Sequence, residues 1–361
     1  MTELPVTSFF THWRHLPLGD REIIEGVVEP MHAGPSPALA RAIERWPGSH
    51  YWDNSPDGRM LVLVAEDRAP REKWWLHAAL FALALVSMTV AGGTFAGIPA
   101  EWHVPSLAAL RVGLSFSIPL AAILAAHESG HYLVARHYRV NASPPFFIPF
   151  PPQLGLLGTM GAFIRLRSPL FDRRTLFDIG VAGPFAGIVV AIPILLIGVA
   201  QSTTVMLPGL PLAHQVIVVE DWHLLLGDSL LLSLCRTIVG AHGTLALTPL
   251  AIAGWTGLFI TCLNLLPLAQ LDGGHITYAL FGRAQSWVAR FFWLLLIPLG
   301  RLWQGWWLWA LLALVIGRGQ LGHPTLIAPE RPLDAKRKLL AWLSIVLLVL
   351  TFTPLAIFIP N

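Results

Sequence analysis

Polar and apolar positions are mixed in two different ways along this chain. Up to residue 72 they interleave on a short scale; beyond it long apolar runs take over. In the first part, "SPALARAIERW" predicts a short helix with Ser36 as its N-cap. "YWDNSPDGRMLVLVAEDR" predicts a hairpin and strand turning at the Pro-Asp-Gly of 56–58. Residues 1–72 therefore read as a small soluble α+β domain, anchoring or regulatory in role. Residues 73–361 read as a membrane domain. Runs near 74–98, 106–134, 176–200, 245–267 and 338–358 come close to the roughly 20 residues that a helix needs to cross a bilayer. Between the last two, Pro298, Gly300 and Arg301 interrupt an apolar stretch and predict a pair of shorter helices, 287–299 and 303–317. The expected fold class is thus a polytopic membrane α-helical bundle of about seven transmembrane helices.

Two segments depart from the helical pattern. Residues 141–169, "NASPPFFIPFPPQLGLLGTMGAFIRLRSP", are apolar but too rich in proline and glycine to be helical throughout. Irregular backbone at membrane depth is tolerated only against protein or a water-filled cavity. This segment is therefore expected to be re-entrant and β-like, with "GTMGAFIRL" as an extended strand with a free edge. Residues 201–244 read as a long loop on the opposite side, with "HLLLGDSLLLSLCRTIV" as an interfacial helix.

Composition supports the membrane reading. Only 12% of residues are charged, against about 25% in soluble domains. Many of the 15 tryptophans lie where apolar runs begin or end, the depth that indoles favour. With the N-terminal part placed in the cytoplasm, loops facing that side carry 16 Lys and Arg and the opposite side carries 3, as the positive-inside rule requires. The net charge of +3 and the lack of basic runs interleaved with aromatics give no reason to expect nucleic acid. The two cysteines, Cys235 and Cys262, form no CxxC and indicate neither a disulfide framework nor a cysteine metal site. The N-terminus lacks both a signal-peptide pattern and a Ser/Arg-rich transit segment, which points to a bacterial inner membrane.

Within the second long apolar run stands "AAHESGHYLVARH", 125–137. His127 and His131 are four apart, so on a helix both imidazoles face one way and can reach one metal. Glu128 beside them can act as general base toward water. Chance alone would give H-E-x-x-H roughly once in sixty such chains, but an acid inside an apolar span is itself a functional signal. A catalytic zinc usually takes a third protein ligand. His137 is one candidate, but Val134 occupies the place of the turning glycine in H-E-x-x-H-x-x-G-x-x-H, and a helix continuing to His137 carries it past the metal. Asp272, in "NLLPLAQLDGGH" (264–275), is the better one: Pro267 breaks the preceding helix, Gly273 and Gly274 allow close approach, and both motifs face the same side.

These paired motifs, H-E-S-G-H and N-x-x-P-x-x-x-L-D-G-G, resemble the site-2 protease family of intramembrane zinc metalloproteases. "GTMGAFIRLRSP" and "FDIGVAGPFAG" resemble it too, and the likeness covers about 105–285. It is closest to the branch without a PDZ domain, which includes the chloroplast EGY-like members. The resemblance implies one Zn²⁺ per chain on His127, His131 and Asp272, with Glu128 as catalytic base. It implies that Asn264 lies near the scissile peptide, a residue otherwise read as a helix–helix hydrogen bond. Gly158 and Gly161 would line a substrate cleft where an extended peptide adds to a strand edge. The implied partners are the lipid bilayer and a transmembrane protein substrate. The reading from another class is a metal-ion or proton transporter using the same residues.

Overall fold

A computed structural model describes residues 5–18, 21–46, 48–66, 72–95, 107–152, 157–167, 172–206, 215–219, 222–268, 270–323, 326 and 332–358. The N-terminal part is a four-stranded antiparallel sheet with strand order β1-β2-β4-β3. Its elements are β1 (Phe10–Leu18), β2 (Arg21–Val28), α1 (Pro37–Glu44), β3 (Gly48–Ser55) and β4 (Gly58–Glu66). The predicted helix and hairpin are both present. The Ser36 hydroxyl accepts from Leu39 N, and β3 pairs with β4 from Ser55↔Gly58 inward. Leu39, Leu61, Leu63, Phe9 and Phe10 close a small core between α1 and the sheet.

The long helices follow: α2 (Trp74–Thr94) and α3 (Leu107–His137). The chain then forms a hairpin of β5 (Phe146–Pro149) and β6 (Thr159–Phe163). The third long helix is α4 (Arg173–Ala200), N-capped by the Asp172 carboxylate. Beyond it come β7 (Thr203–Val205), β8 (Gln215–Val219), β9 (Trp222–Leu226), α5 (Leu230–Val239), β10 (Thr244–Ala246) and α6 (Pro249–Leu265). The chain ends with α7 (Asp272–Phe281), α8 (Gln285–Leu299), α9 (Gly305–Ile316), α10 (Ala335–Thr351) and β11 (Ile357–Phe358).

This architecture corrects the expected fold class. Among the described residues, three helices, α2, α3 and α4, are long and apolar enough to cross a membrane, not about seven. The chain is a polytopic membrane protein built on these three. The reason lies in apolar runs that are not all helix. Thr244–Ala246 and Ile357–Phe358 lie within or beside predicted spans, but they are strands of a five-stranded sheet, β11-β9-β8-β10-β7. An apolar run by itself does not separate a buried strand from a helix. The helices at those spans, α6 and α10, have 17 residues each, about 25 Å of helix against a hydrocarbon core of about 30 Å. Helices α8 and α9, of 15 and 12 residues, form a pair joined where Gly300 lies against the Trp307 indole.

The segment 201–244 is likewise not a plain loop but carries most of that sheet. Of the run expected as an interfacial helix only the second half is helical, α5, which buries Leu231, Leu232 and Cys235 and exposes Leu230, Leu234 and Ile238; its first four residues belong to β9.

The expected strand in "GTMGAFIRL" is β6. Its one strand partner among the described residues is β5. The hairpin is tied to α2: His77 Nδ1 lies 3.1 Å from the Pro145 carbonyl, and the Ser87 hydroxyl donates to the Phe150 carbonyl.

Candidate metal centre

Helix α3 puts His127 and His131 on one face, with ring centroids 4.9 Å apart and both side chains buried. Asp272 arrives from a chain reversal. Helix α6 ends at Leu265, Pro267 follows, and α7 starts at Asp272. A Cβ at Gly273 would collide with the Leu265 carbonyl, so this tight return requires a glycine. The carboxylate stands in the first turn of α7, where the helix dipole favours negative charge.

Three atoms converge. Asp272 Oδ2 lies 3.1 Å from His127 Nε2 and 3.3 Å from His131 Nε2, and the two Nε2 atoms are 3.2 Å apart. Bonds of 2.0–2.2 Å from a tetrahedral zinc imply ligand–ligand edges of roughly 3.3–3.6 Å. The cluster is close to that size, and its donors, two imidazole nitrogens and a carboxylate oxygen, are ones that zinc takes, so the residues fit a zinc ion. The tautomer fits as well. His131 Nδ1 donates to the Ile179 carbonyl at 2.7 Å, which leaves the Nε2 lone pair free toward the cluster. Among the described residues this is the one group of three or more His, Cys, Asp or Glu side chains able to hold a metal.

The other residues singled out in the sequence fall around this point. Glu128 is buried beside the two histidines. The Asn264 amide nitrogen lies 3.2 Å from His127 Nε2, so this residue reaches the cluster itself. His137 ends α3, exposed and outside the group. Gly158, at φ +69°, packs against α2, where a Cβ would come within 2.5 Å of the Ser87 carbonyl. Gly161, at φ +98°, faces open space.

Helix α4 contributes no ligand, yet it positions both ligand helices. Gly180, Gly183 and Gly187 form one stripe. A Cβ at Gly183 would collide with the His131 imidazole, one at Gly187 would stand 3.2 Å from His127 Nδ1, and one at Gly180 would stand 2.9 Å from His275 Cβ. Small residues are what lets membrane helices approach this closely. At the head of α4, Arg173 donates to the Ala279 and Leu280 carbonyls and so caps the end of α7. In the sequence "FDIGVAGPFAG" stands out only by its likeness to the family. The spacing of three and four residues between its glycines was the available signal for a close-packed face.

Residues 115–297 match the model of peptidase family M50. Among curated proteins, the chain is 35% identical over 187 residues to the probable zinc metalloprotease EGY1, chloroplastic, of Oryza sativa subsp. japonica; the match covers 50% of this chain and 31% of the rice protein. It is 36% identical to the Arabidopsis thaliana protein of the same name, over 50% of this chain and 32% of that one. It is 31% identical to the probable zinc metalloprotease EGY2, chloroplastic, of Arabidopsis thaliana, over 49% and 30%. The chain thus aligns with about a third of the length of these relatives. No solved structure matches. The His–His–Asp cluster lies on elements inside the matched region, and with that region spanning half of the sequence, the chain belongs to peptidase family M50.

Proposed function

We propose that the protein is an intramembrane zinc metalloprotease that hydrolyses peptide bonds within or near transmembrane segments of membrane-anchored proteins. The observation that carries this reading is the convergence of His127, His131 and Asp272 beside the buried Glu128 in a chain of this family. When bound, Zn²⁺ supplies Lewis acidity toward the scissile carbonyl and toward water. His127, His131 and Asp272 hold it, and Glu128 removes a proton from the attacking water and returns it to the leaving amine. Asn264, at the edge of the cluster, holds the substrate carbonyl. The open position at Gly161 and the edge of β6 take an extended substrate backbone, and Gly158 seats that strand on α2. A local cluster rather than a line of acids along a path favours chemistry over ion transport.

In this reading the division is a soluble N-terminal domain of residues 1–72 and a membrane domain of 73–361, with its metalloprotease core at about 105–285. The site lies toward the membrane face that carries most of the lysines and arginines. That is the cytoplasmic face if the membrane is a bacterial inner membrane; the relatives named above are described as chloroplastic.

The test is bound zinc and cleavage of a single-span reporter in detergent-purified protein. Wild type should hold about one zinc per chain. Glu128→Gln should keep the metal and lose at least roughly 10²–10⁴-fold in rate, while Asp272→Ala should lose the metal and His137→Ala should keep it. A Glu128→Gln protein that cleaves at the wild-type rate, or a wild type that takes up no zinc, rejects the reading.

A further inference from the structure

We propose that Arg337 is a positioning residue for the metal centre, acting through Asp178 and the Ile179 carbonyl on His131; this rests on the metalloprotease reading above. Arg337 stands in the first turn of α10. Its guanidinium grips Asp178 of α4 with two hydrogen bonds, Nε to Oδ1 at 2.8 Å and Nη2 to Oδ2 at 2.6 Å. The same carboxylate accepts from the hydroxyl of Tyr138, just past the end of α3, and Arg337 Nη2 lies 3.3 Å from that hydroxyl. Asp334, the N-cap of α10, accepts from Arg337 N at 3.0 Å and pairs with its Nη1. One guanidinium thus ties α3, α4 and α10 together at the same end of the bundle.

The next residue of α4 after Asp178 is Ile179, whose carbonyl fixes the His131 ring. The need for a clamp follows from the character of the α3–α4 interface. Gly130, Ala182, Gly183 and Gly187 make it smooth: a Cβ at Gly130 would come within 2.5 Å of the Ala182 carbonyl. Smooth small-residue faces allow close approach but have few knobs to stop one helix sliding along the other. A polar contact that must be satisfied sets such a register. A displacement of α4 along α3 that broke the Asp178–Tyr138 contact would also carry the Ile179 carbonyl away from His131 Nδ1. The fork of Arg337 matters as much as its charge, because both carboxylate oxygens are engaged at once. The pair is partly exposed, and such pairs contribute little to stability, so its loss should register at the metal more than in unfolding.

The experiment uses the full chain in detergent, loaded with Co²⁺ or Zn²⁺. It measures affinity by chelator competition, the visible absorption spectrum of the cobalt form, and the thermal unfolding temperature. Arg337→Ala and Asp178→Asn should weaken metal binding about tenfold, the lower end of what outer partners of a ligand histidine are worth, and should alter the cobalt spectrum. Arg337→Lys should recover only part of the affinity, and the double variant should be no worse than the poorer single one. Wild-type affinity and spectrum in both Arg337 variants would overturn the proposal, as would additive losses in the double variant. If Arg337→Ala does not fold, Arg337→Lys and Tyr138→Phe carry the test, and a wild-type spectrum in both rejects it. A wild type that binds neither metal instead brings down the metalloprotease reading, and the clamp with it.

Discussion

Helices α4 and the α8–α9 pair are both strongly apolar, yet the molecule uses them in opposite ways. Helix α4 buries about half of its residues, many of them small: Gly180, Gly183, Gly187 and Ala191. Helices α8 and α9 turn large side chains outward, Trp287, Phe291, Leu294, Leu308, Leu311 and Val315 among them. Hydrophobicity by itself therefore does not mark what belongs at the centre of the protein. Lipid tails are as apolar as leucine, so exposure to them costs a large aliphatic side chain little. Small residues are what allow two backbones to come close enough to set side chains from different helices within bonding distance.

That contrast can be broken most directly at Gly183. Gly183→Ala should displace the His131 ring, remove bound zinc and reduce cleavage to the level of Asp272→Ala, while Leu311→Ala on α9 should leave zinc content and rate unchanged. Equal zinc in the two variants would show that α4 is not the wall of the site. A smaller effect is expected within the α8–α9 pair, where Trp293 Nε1 donates to the Ala310 carbonyl at 2.9 Å. Trp293→Phe should lower stability by about 1 kcal/mol, read as thermal unfolding in detergent, with metal affinity as in wild type; a loss of metal would show that the periphery also shapes the site.

The smallest effect lies outside the membrane helices. His50 of β3 is half-buried, and burial together with the nearby Arg139 guanidinium holds its imidazole below the ordinary value of 6.5. The unfolded chain then binds the proton more readily, so a share of stability present above pH 6.5 is lost as the pH falls below it. His50→Gln should flatten that acid loss in a pH series of unfolding temperatures. An unchanged acid limb would show that His50 does not account for that loss.

The elements that the sequence made legible are those with local causes. Ser36 caps α1 because a hydroxyl three residues before a free N–H needs nothing distant. His127 and His131 share a face because a helix repeats every 3.6 residues. The strands β7 to β10 were not legible, since their runs are short, apolar and adjacent to true helices. The part played by Ile179 was invisible for a different reason: it acts through a backbone carbonyl, which every residue has.

The sequence by itself determined the chemistry of this protein: two histidines and a glutamate on one helix, an aspartate before paired glycines at a break, and apolar runs that need a membrane. These follow from residue type and helical period. Only the tertiary structure decided that His127 and Asp272, 145 positions apart, meet at 3.1 Å, that α4 rather than another apolar helix forms the floor of the site, and that three helices have the length to cross. Those outcomes depend on how closely backbones pack and where polar contacts lock their register, and burial of apolar surface, being non-directional, specifies neither.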